Sequence, residues 1–172
     1  MSDRRFARAN GPEAGSGPRR PDVGLLVPTI LFADASEEYR SMARDALLEG
    51  RSPTDLRFAV DGLDLLDYLH GRGVHEDAIR APRPALIVLD LGLPKVEGLE
   101  AVRLIKSNAE LRRIPVVALA DDLDPATVAR AYDAGVNSYL AKPVTFLALV
   151  KLMKVFTAYW LDTAQLPPAD MP

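Results

Sequence analysis

Five short apolar runs, each followed by a longer segment with helical spacing, constrain this chain more than any other feature. The runs are TILFAD (29–34), DLRFAV (55–60), ALIVLD (85–90), IPVVALA (114–120) and NSYLA (137–141). Most lack the alternation of a half-exposed strand and read as strands buried on both faces. After the first comes SEEYRSMARDALLEG, with Tyr39, Met42, Ala43, Ala46 and Leu47 at three- and four-residue spacing. Ser36 is placed to cap that helix and Gly50 to stop it. DGLDLLDYLHG carries Leu63, Leu66 and Leu69 along one side, and GLEAVRLIKSNAE follows the third run. Asp124 and Pro125 open a fourth helix that Gly135 closes. Thr145 starts a last helix running to about Leu161. Five β–α repeats predict an α/β fold, a parallel sheet covered by helices on both faces. Such a sheet binds its ligand beyond the carboxyl ends of its strands, where strand order reverses.

Composition narrows the function classes. With 172 residues and a net charge of -3, the chain is one domain with extra at the ends and offers no electrostatic case for nucleic acid. It has no cysteine, so disulfides and thiolate chemistry are excluded, and its two histidines cannot form a multi-histidine metal cluster. Residues 1–27 are Gly-, Pro- and Arg-rich and are expected to form a disordered tail, with the ordered domain over 28–161 and a short C-terminal tail over 162–172. Neither a secretory apolar segment nor a membrane-length apolar span is present, which predicts a cytoplasmic protein. The segment GRGVHEDAIRAPRP (71–84) reads as a long loop.

The ends of the runs carry the chemistry. In order they present Asp34, Asp90, Ala120-Asp121-Asp122 and Lys142-Pro143. Two carboxylates beside an ammonium make an oxygen site suited to Mg²⁺, which keeps several waters and takes few protein ligands. A cation there would neutralise a phosphoryl group and leave one aspartate as nucleophile, with the lysine as a fixed positive charge.

ILFAD, VLDLGLPKVEGLE, IPVVALA and AGVNSYLAKP together resemble the receiver domain of bacterial two-component response regulators over about residues 28–161. The resemblance implies a flavodoxin-like (βα)5 sandwich with strand order 2-1-3-4-5. It implies that Asp90 accepts a phosphoryl group from a sensor histidine kinase and that Lys142 contacts the phosphate. Asp34, Asp90 and the backbone carbonyl of Gly92 would hold Mg²⁺. Pro143 would follow a cis peptide bond, and Tyr139 would be the aromatic that changes rotamer on activation. Within the family, the loop before the third strand, LRRIPVV, NSYLAKPV and YWLDTAQLPP are similar to single-domain regulators partnered with phytochromes.

Two positions depart from that pattern. Asp34 is followed by Ala35, where the family has a second acid, and Ala120 stands where it has a hydroxyl residue. Asp34 and Asp90 against Lys142 leave a net charge of -1, where three carboxylates would leave -2, so Mg²⁺ is expected to bind weakly. Loss of one charge-assisted contact of roughly 1.5–3 kcal/mol corresponds to about 10- to 150-fold in affinity. Asp121, next to Ala120, offers a replacement carboxylate, but an exposed loop acid is the simpler reading. Without a hydroxyl at residue 120 the phosphoryl group has less to bias a switch with, so the switch is expected to be weak or altered.

The last helix, TFLALVKLMKVFTAYWL (145–161), is apolar nearly all round. Phe146, Leu149, Val150, Met153 and Trp160 are expected to face the sheet. Leu147, Leu152, Val155, Phe156 and Tyr159 would then form a homodimer surface. Nothing after residue 161 reads as an output domain. Two functions follow: a receiver phosphorylated on Asp90 that signals through protein contacts and is not itself an enzyme, or a phosphorylation-independent dimeric adaptor. A flavin or nucleotide binder lacks a phosphate-cradling glycine loop.

Overall fold

The computed structural model describes residues 27–50 and 53–168. Apart from Val27, the expected N-terminal tail lies outside the described residues, as does the end of the expected C-terminal tail. Along the chain run β1 (Thr29–Ala33), α1 (Glu37–Gly50), β2 (Asp55–Ala59), α2 (Gly62–His70), β3 (Leu86–Asp90), α3 (Gly98–Ser107), β4 (Val116–Ala120), α4 (Pro125–Ala134), β5 (Ser138–Ala141) and α5 (Phe146–Thr157). The strands are all parallel in the order β2-β1-β3-β4-β5, the flavodoxin-like arrangement.

Because successive strand residues point to opposite faces, each central strand feeds two cores. Ile30, Phe32, Leu86 and Val88 pack under α1 and α5 with Ala43, Leu47, Leu149 and Met153. Leu31, Ala33, Ile87 and Leu89 pack on the other side with Leu65, Val102, Ile105 and Ala131 of α2, α3 and α4. β1, β3 and β4 are therefore apolar at every position except Thr29 at the start of β1 and Asp90 at the end of β3, whereas edge strand β5 is only partly buried. The helix signals act as expected. Ser36 Oγ accepts from the Tyr39 N–H at 3.1 Å, the Asp124 side chain caps α4 with Pro125 at its start, and Gly135 closes it in the left-handed region.

Two helix faces differ from the sequence expectation. In α2 the core takes Leu65 and Tyr68, with Leu66 and Leu69 partly buried, while Leu63 is exposed. The first turn of α2 is held against the segment after β3: a Cβ at Gly62 would stand 2.1 Å from the Val96 carbonyl oxygen. That abutment sets the helix phase and leaves Leu63 on the outer side.

In α5 the core takes Leu149, Val150, Met153 and Phe156. Phe156 follows Leu149 by two helical turns and so shares its face; it is 4% exposed and does not belong to an outward surface. Phe146, expected against the sheet, is largely exposed, as are Leu147, Val155 and Tyr159. The helix also changes character after Thr157, whose hydroxyl donates to the Met153 and Lys154 carbonyls. Residues Ala158–Thr163 form a π-helical turn.

The 71–84 segment is tied down. Its residues Gly73–His75 form a short 3₁₀ turn, His75 Nε2 lies 2.7 Å from Asp64 Oδ1, and the Tyr68 hydroxyl donates to the Pro82 carbonyl. No helix among the described residues is long and apolar enough to cross a membrane.

Candidate functional site

The parallel register brings the charged residues to one edge. Ala33 pairs with Leu89, so Asp34 stands level with Asp90, and Asp90 pairs with Leu119. Ala120 pairs with Ala141, so Lys142 emerges one step beyond the sheet, its N–H bonded to the Ala120 carbonyl at 2.9 Å. Its long side chain then reaches back over β4 to β3 and β1.

Each carboxylate is held at both oxygens. Asp34 Oδ1 accepts from the Ser36 N–H at 2.8 Å, and Asp90 Oδ1 accepts from the Gly92 N–H at 2.9 Å. Lys142 Nζ lies between the remaining oxygens, 2.8 Å from Asp90 Oδ2 and 2.7 Å from Asp34 Oδ2. The first is an aligned hydrogen bond. The second is a charge contact, which leaves the buried Asp34 Oδ2 with no hydrogen-bond partner. Burial works to lower the Lys142 pKa, but Asp34 and Asp90 outweigh it and push it up, so the ammonium is retained. The Asp34 side chain is 1% exposed and that of Asp90 14%, so Asp90 is the acid a reactant can meet. It opens on a cleft of about 410 Å³, shared with Gly92, Ala120, Asp121 and Tyr139.

Other expected residues occupy distinct places around this centre. Ala120 is buried and puts a methyl group at the end of β4. The Tyr139 hydroxyl donates to the Asp122 carbonyl, tying β5 to the loop before α4. Burial, reinforced by Asp122, raises the pKa of that phenol. Asp121 is exposed and borders the cleft. All described peptide bonds are trans, contrary to the cis bond expected before Pro143.

The donor set suits a hard cation. Asp34, Asp90 and the Gly92 carbonyl offer oxygen only, and the buried Asp34 Oδ2 has a lone pair to give. The described residues include no group of three or more His, Cys, Asp or Glu arranged for a metal. A cation at such a site would keep most of its water.

Three residues here were not marked as site residues by the sequence. Arg40 donates to the Asp34 carbonyl at 2.6 Å. Tyr39, read only as part of the apolar face of α1, sets its ring 4.4 Å from Lys142 Nζ, and its buried hydroxyl has no hydrogen-bond partner. Burial first, and then the charges of Asp34, Asp121 and Asp90, push that phenol's pKa well up. A hydroxyl among otherwise apolar helix positions was the one available signal. Lys95, with a left-handed φ of 66°, places Nζ 2.5 Å from Asp61 Oδ2 and fastens the segment after β3 to α2. At the end of that segment Gly98 is required by close approach, since a Cβ would stand 2.5 Å from Leu91 Cα.

Residues 30–154 match the response regulator receiver domain. Response regulator Rcp1 of Synechocystis is 35% identical over 140 residues, covering 81% of this chain and 93% of Rcp1. The crystal structure of RPA3017, a response regulator in red light signaling of R. palustris, superposes with a TM-score of 0.78 at 32% identity, covering 83% of this chain and 99% of that one. That of the phosphorylated cyanobacterial phytochrome response regulator RcpA gives 0.76 at 32% identity, with the same coverage. The Mn²⁺-bound form of Rcp1 gives 0.74 at 34% identity, covering 82% of this chain and 99% of that one. With its sheet order, its edge of acids and these relatives in agreement, this chain belongs to the response-regulator receiver-domain family.

Proposed function

We propose that this chain is a receiver that takes a phosphoryl group on Asp90 from the phosphohistidine of a phytochrome-type sensor kinase. The observation that carries the reading is the Lys142 ammonium held between Asp34 and Asp90 at the mouth of the cleft. An Asp90 oxygen attacks phosphorus, the N–P bond breaks, and the histidine nitrogen leaves with the bonding pair. Lys142 counters the charge gathering on the phosphoryl oxygens. The Gly92 N–H and Lys142 orient the Asp90 carboxylate, and the buried Asp34 keeps the ammonium in place. Mg²⁺, held by Asp34, Asp90 and the Gly92 carbonyl, would supply further neutralisation of charge. With one acid absent at Ala35, its binding is weak. The Mn²⁺-bound state of Rcp1 and the phosphorylated state of RcpA support both parts of this reading.

Output is through protein contact, including a homodimer across the outer side of α5. Val155 and, just past the end of α5, Tyr159 are exposed there, whereas Leu152, expected on that surface, packs partly against the chain's own core. Phe156 is excluded from that surface by its burial in the chain's own core. The paired variant Val155→Glu/Tyr159→Glu should be a folded monomer in light scattering. A dimer of unchanged mass would remove α5 from the interface.

One observation favours a second reading, a dimeric adaptor independent of phosphorylation. Ala120 offers the site no hydroxyl. Intact mass after incubation with acetyl phosphate and Mg²⁺, beside Asp90→Asn, separates the two. A phosphoryl adduct confined to the unmutated chain supports the receiver. No adduct, with a cognate kinase also failing, supports the adaptor.

A further inference from the structure

Buried hydroxyls in folded proteins are nearly always paired. The Tyr39 hydroxyl is not: the residue is 9% exposed and its oxygen, shielded from solvent, has no hydrogen-bond partner. It is no ordinary core position either. The ring lies against the Lys142 ammonium at 4.4 Å and lines a second cleft, of about 280 Å³, with Ser36, Asp121, Lys142 and Pro143. Lys142 and Asp121 thus connect this phenol to the site around Asp90. Across that site β4 ends in a buried methyl group, that of Ala120, and contributes no hydroxyl.

A phenol with its proton is a donor, and it faces a cation already engaged by two acids. What would complete it is an anionic acceptor lodged beside Lys142, and the one anion these residues are arranged to receive is a phosphoryl group. We propose that when Asp90 is phosphorylated the Tyr39 hydroxyl donates a hydrogen bond to a phosphoryl oxygen beside Lys142, supplying from α1 the hydroxyl that β4 lacks at Ala120. The unpaired hydroxyl is then a site held ready: its desolvation is borne in the free state and relieved only when the phosphoryl group arrives. This inference rests on Asp90 as phosphoacceptor. It also changes the meaning of Ala120, which marks a relocated contact in place of a lost one.

Beryllofluoride with Mg²⁺ mimics the aspartyl phosphate, and its binding can be titrated by ¹⁹F NMR on the full chain. Four proteins are compared: the unmutated chain, Tyr39→Phe, Tyr39→Phe/Ala120→Ser and Asp90→Asn. Tyr39→Phe should bind about tenfold more weakly, as expected for one hydrogen bond to a charged group. The double variant should recover most of that loss. Thermal unfolding of Tyr39→Phe without beryllofluoride should be unchanged or slightly raised, because an unpaired buried hydroxyl has been removed. A merely structural tyrosine would instead lower the midpoint and would not be rescued from residue 120. Equal binding by Tyr39→Phe and the unmutated chain, or a loss that Ala120→Ser does not recover, overturns the proposal while leaving Asp90 as phosphoacceptor. If the unmutated chain binds no better than Asp90→Asn, the phosphoacceptor reading fails, and this contact with it.

Discussion

Two aspartate–lysine pairs stand at the same carboxyl edge, built alike and doing different work. Asp61 accepts the Asp64 N–H at one oxygen and meets Lys95 at the other. Asp90 accepts the Gly92 N–H at one oxygen and meets Lys142 at the other. The difference lies in the cation. The Lys95 side chain is 62% exposed and serves one acid, whereas that of Lys142 is 13% exposed and is shared between Asp90 and the buried Asp34. The first pair caps a helix and pins a loop. In the second, two carboxylates hold one buried ammonium between them, and one of the two faces a cleft. Under the proposed function, a shared, buried cation, and not carboxylate geometry alone, is what fits the second pair to receive a phosphoryl group.

Phosphoryl transfer is the widest expected separation between the pairs. Asp90→Asn should abolish the adduct formed from acetyl phosphate, and Asp61→Asn should retain it, both read by intact mass. Retention in Asp90→Asn would break the comparison at its centre. Stability comes next. Lys142→Met leaves two carboxylates facing each other without their cation and should cost about 3–5 kcal/mol in chemical denaturation. Removing the capping group in Asp61→Ala should cost about 1–2 kcal/mol. Lys95→Met, at an exposed and solvent-screened pair, should cost the least of the three; equal costs for the two lysines would show that burial is not what distinguishes them.

The finest distinction is in pH. Burial opposes ionisation of Asp61, but Lys95 and the backbone N–H groups of Asp64 and Leu63 outweigh it and hold its carboxyl below the usual carboxylate range. A carboxyl depressed in the folded state contributes stability that is present above its unfolded pKa, about 3.9, and lost as pH falls through the folded value. Asp61→Asn should therefore flatten the acid limb of the stability curve below about pH 4. An unchanged limb would assign the acid sensitivity to other carboxylates.

Much of the fold was legible because burial on both faces writes itself as unbroken apolar runs. IPVVALA and ALIVLD could be little else, and Asp124, Pro125 and Gly135 bracket α4 as local chemistry requires. Asp34, Asp90 and Lys142 were legible as the residues that end such runs, and the structure brings the three together. The helix faces were harder. Leu63 satisfied the spacing of a buried stripe, yet Gly62 against Val96 turned the helix so that Leu65 and Tyr68 went in. Phe156 was assigned outward among many apolar neighbours because an almost wholly apolar helix offers little contrast by which to choose its phase. Lys95 and Tyr39 were missed for a different reason: their partners, Asp61 and Lys142, lie far away along the chain.

By itself the sequence determined the strand runs, the caps and the identity of the acids and lysine at the edge, because these depend on residue type and near neighbours. Only the tertiary structure decided which side of α5 is free, that one ammonium serves both Asp34 and Asp90, and that the Tyr39 hydroxyl stands beside it unpaired. Each of those depends on where a side chain from one strand or helix lands among residues from others. Local periodicity carries no record of that placement; packing sets it.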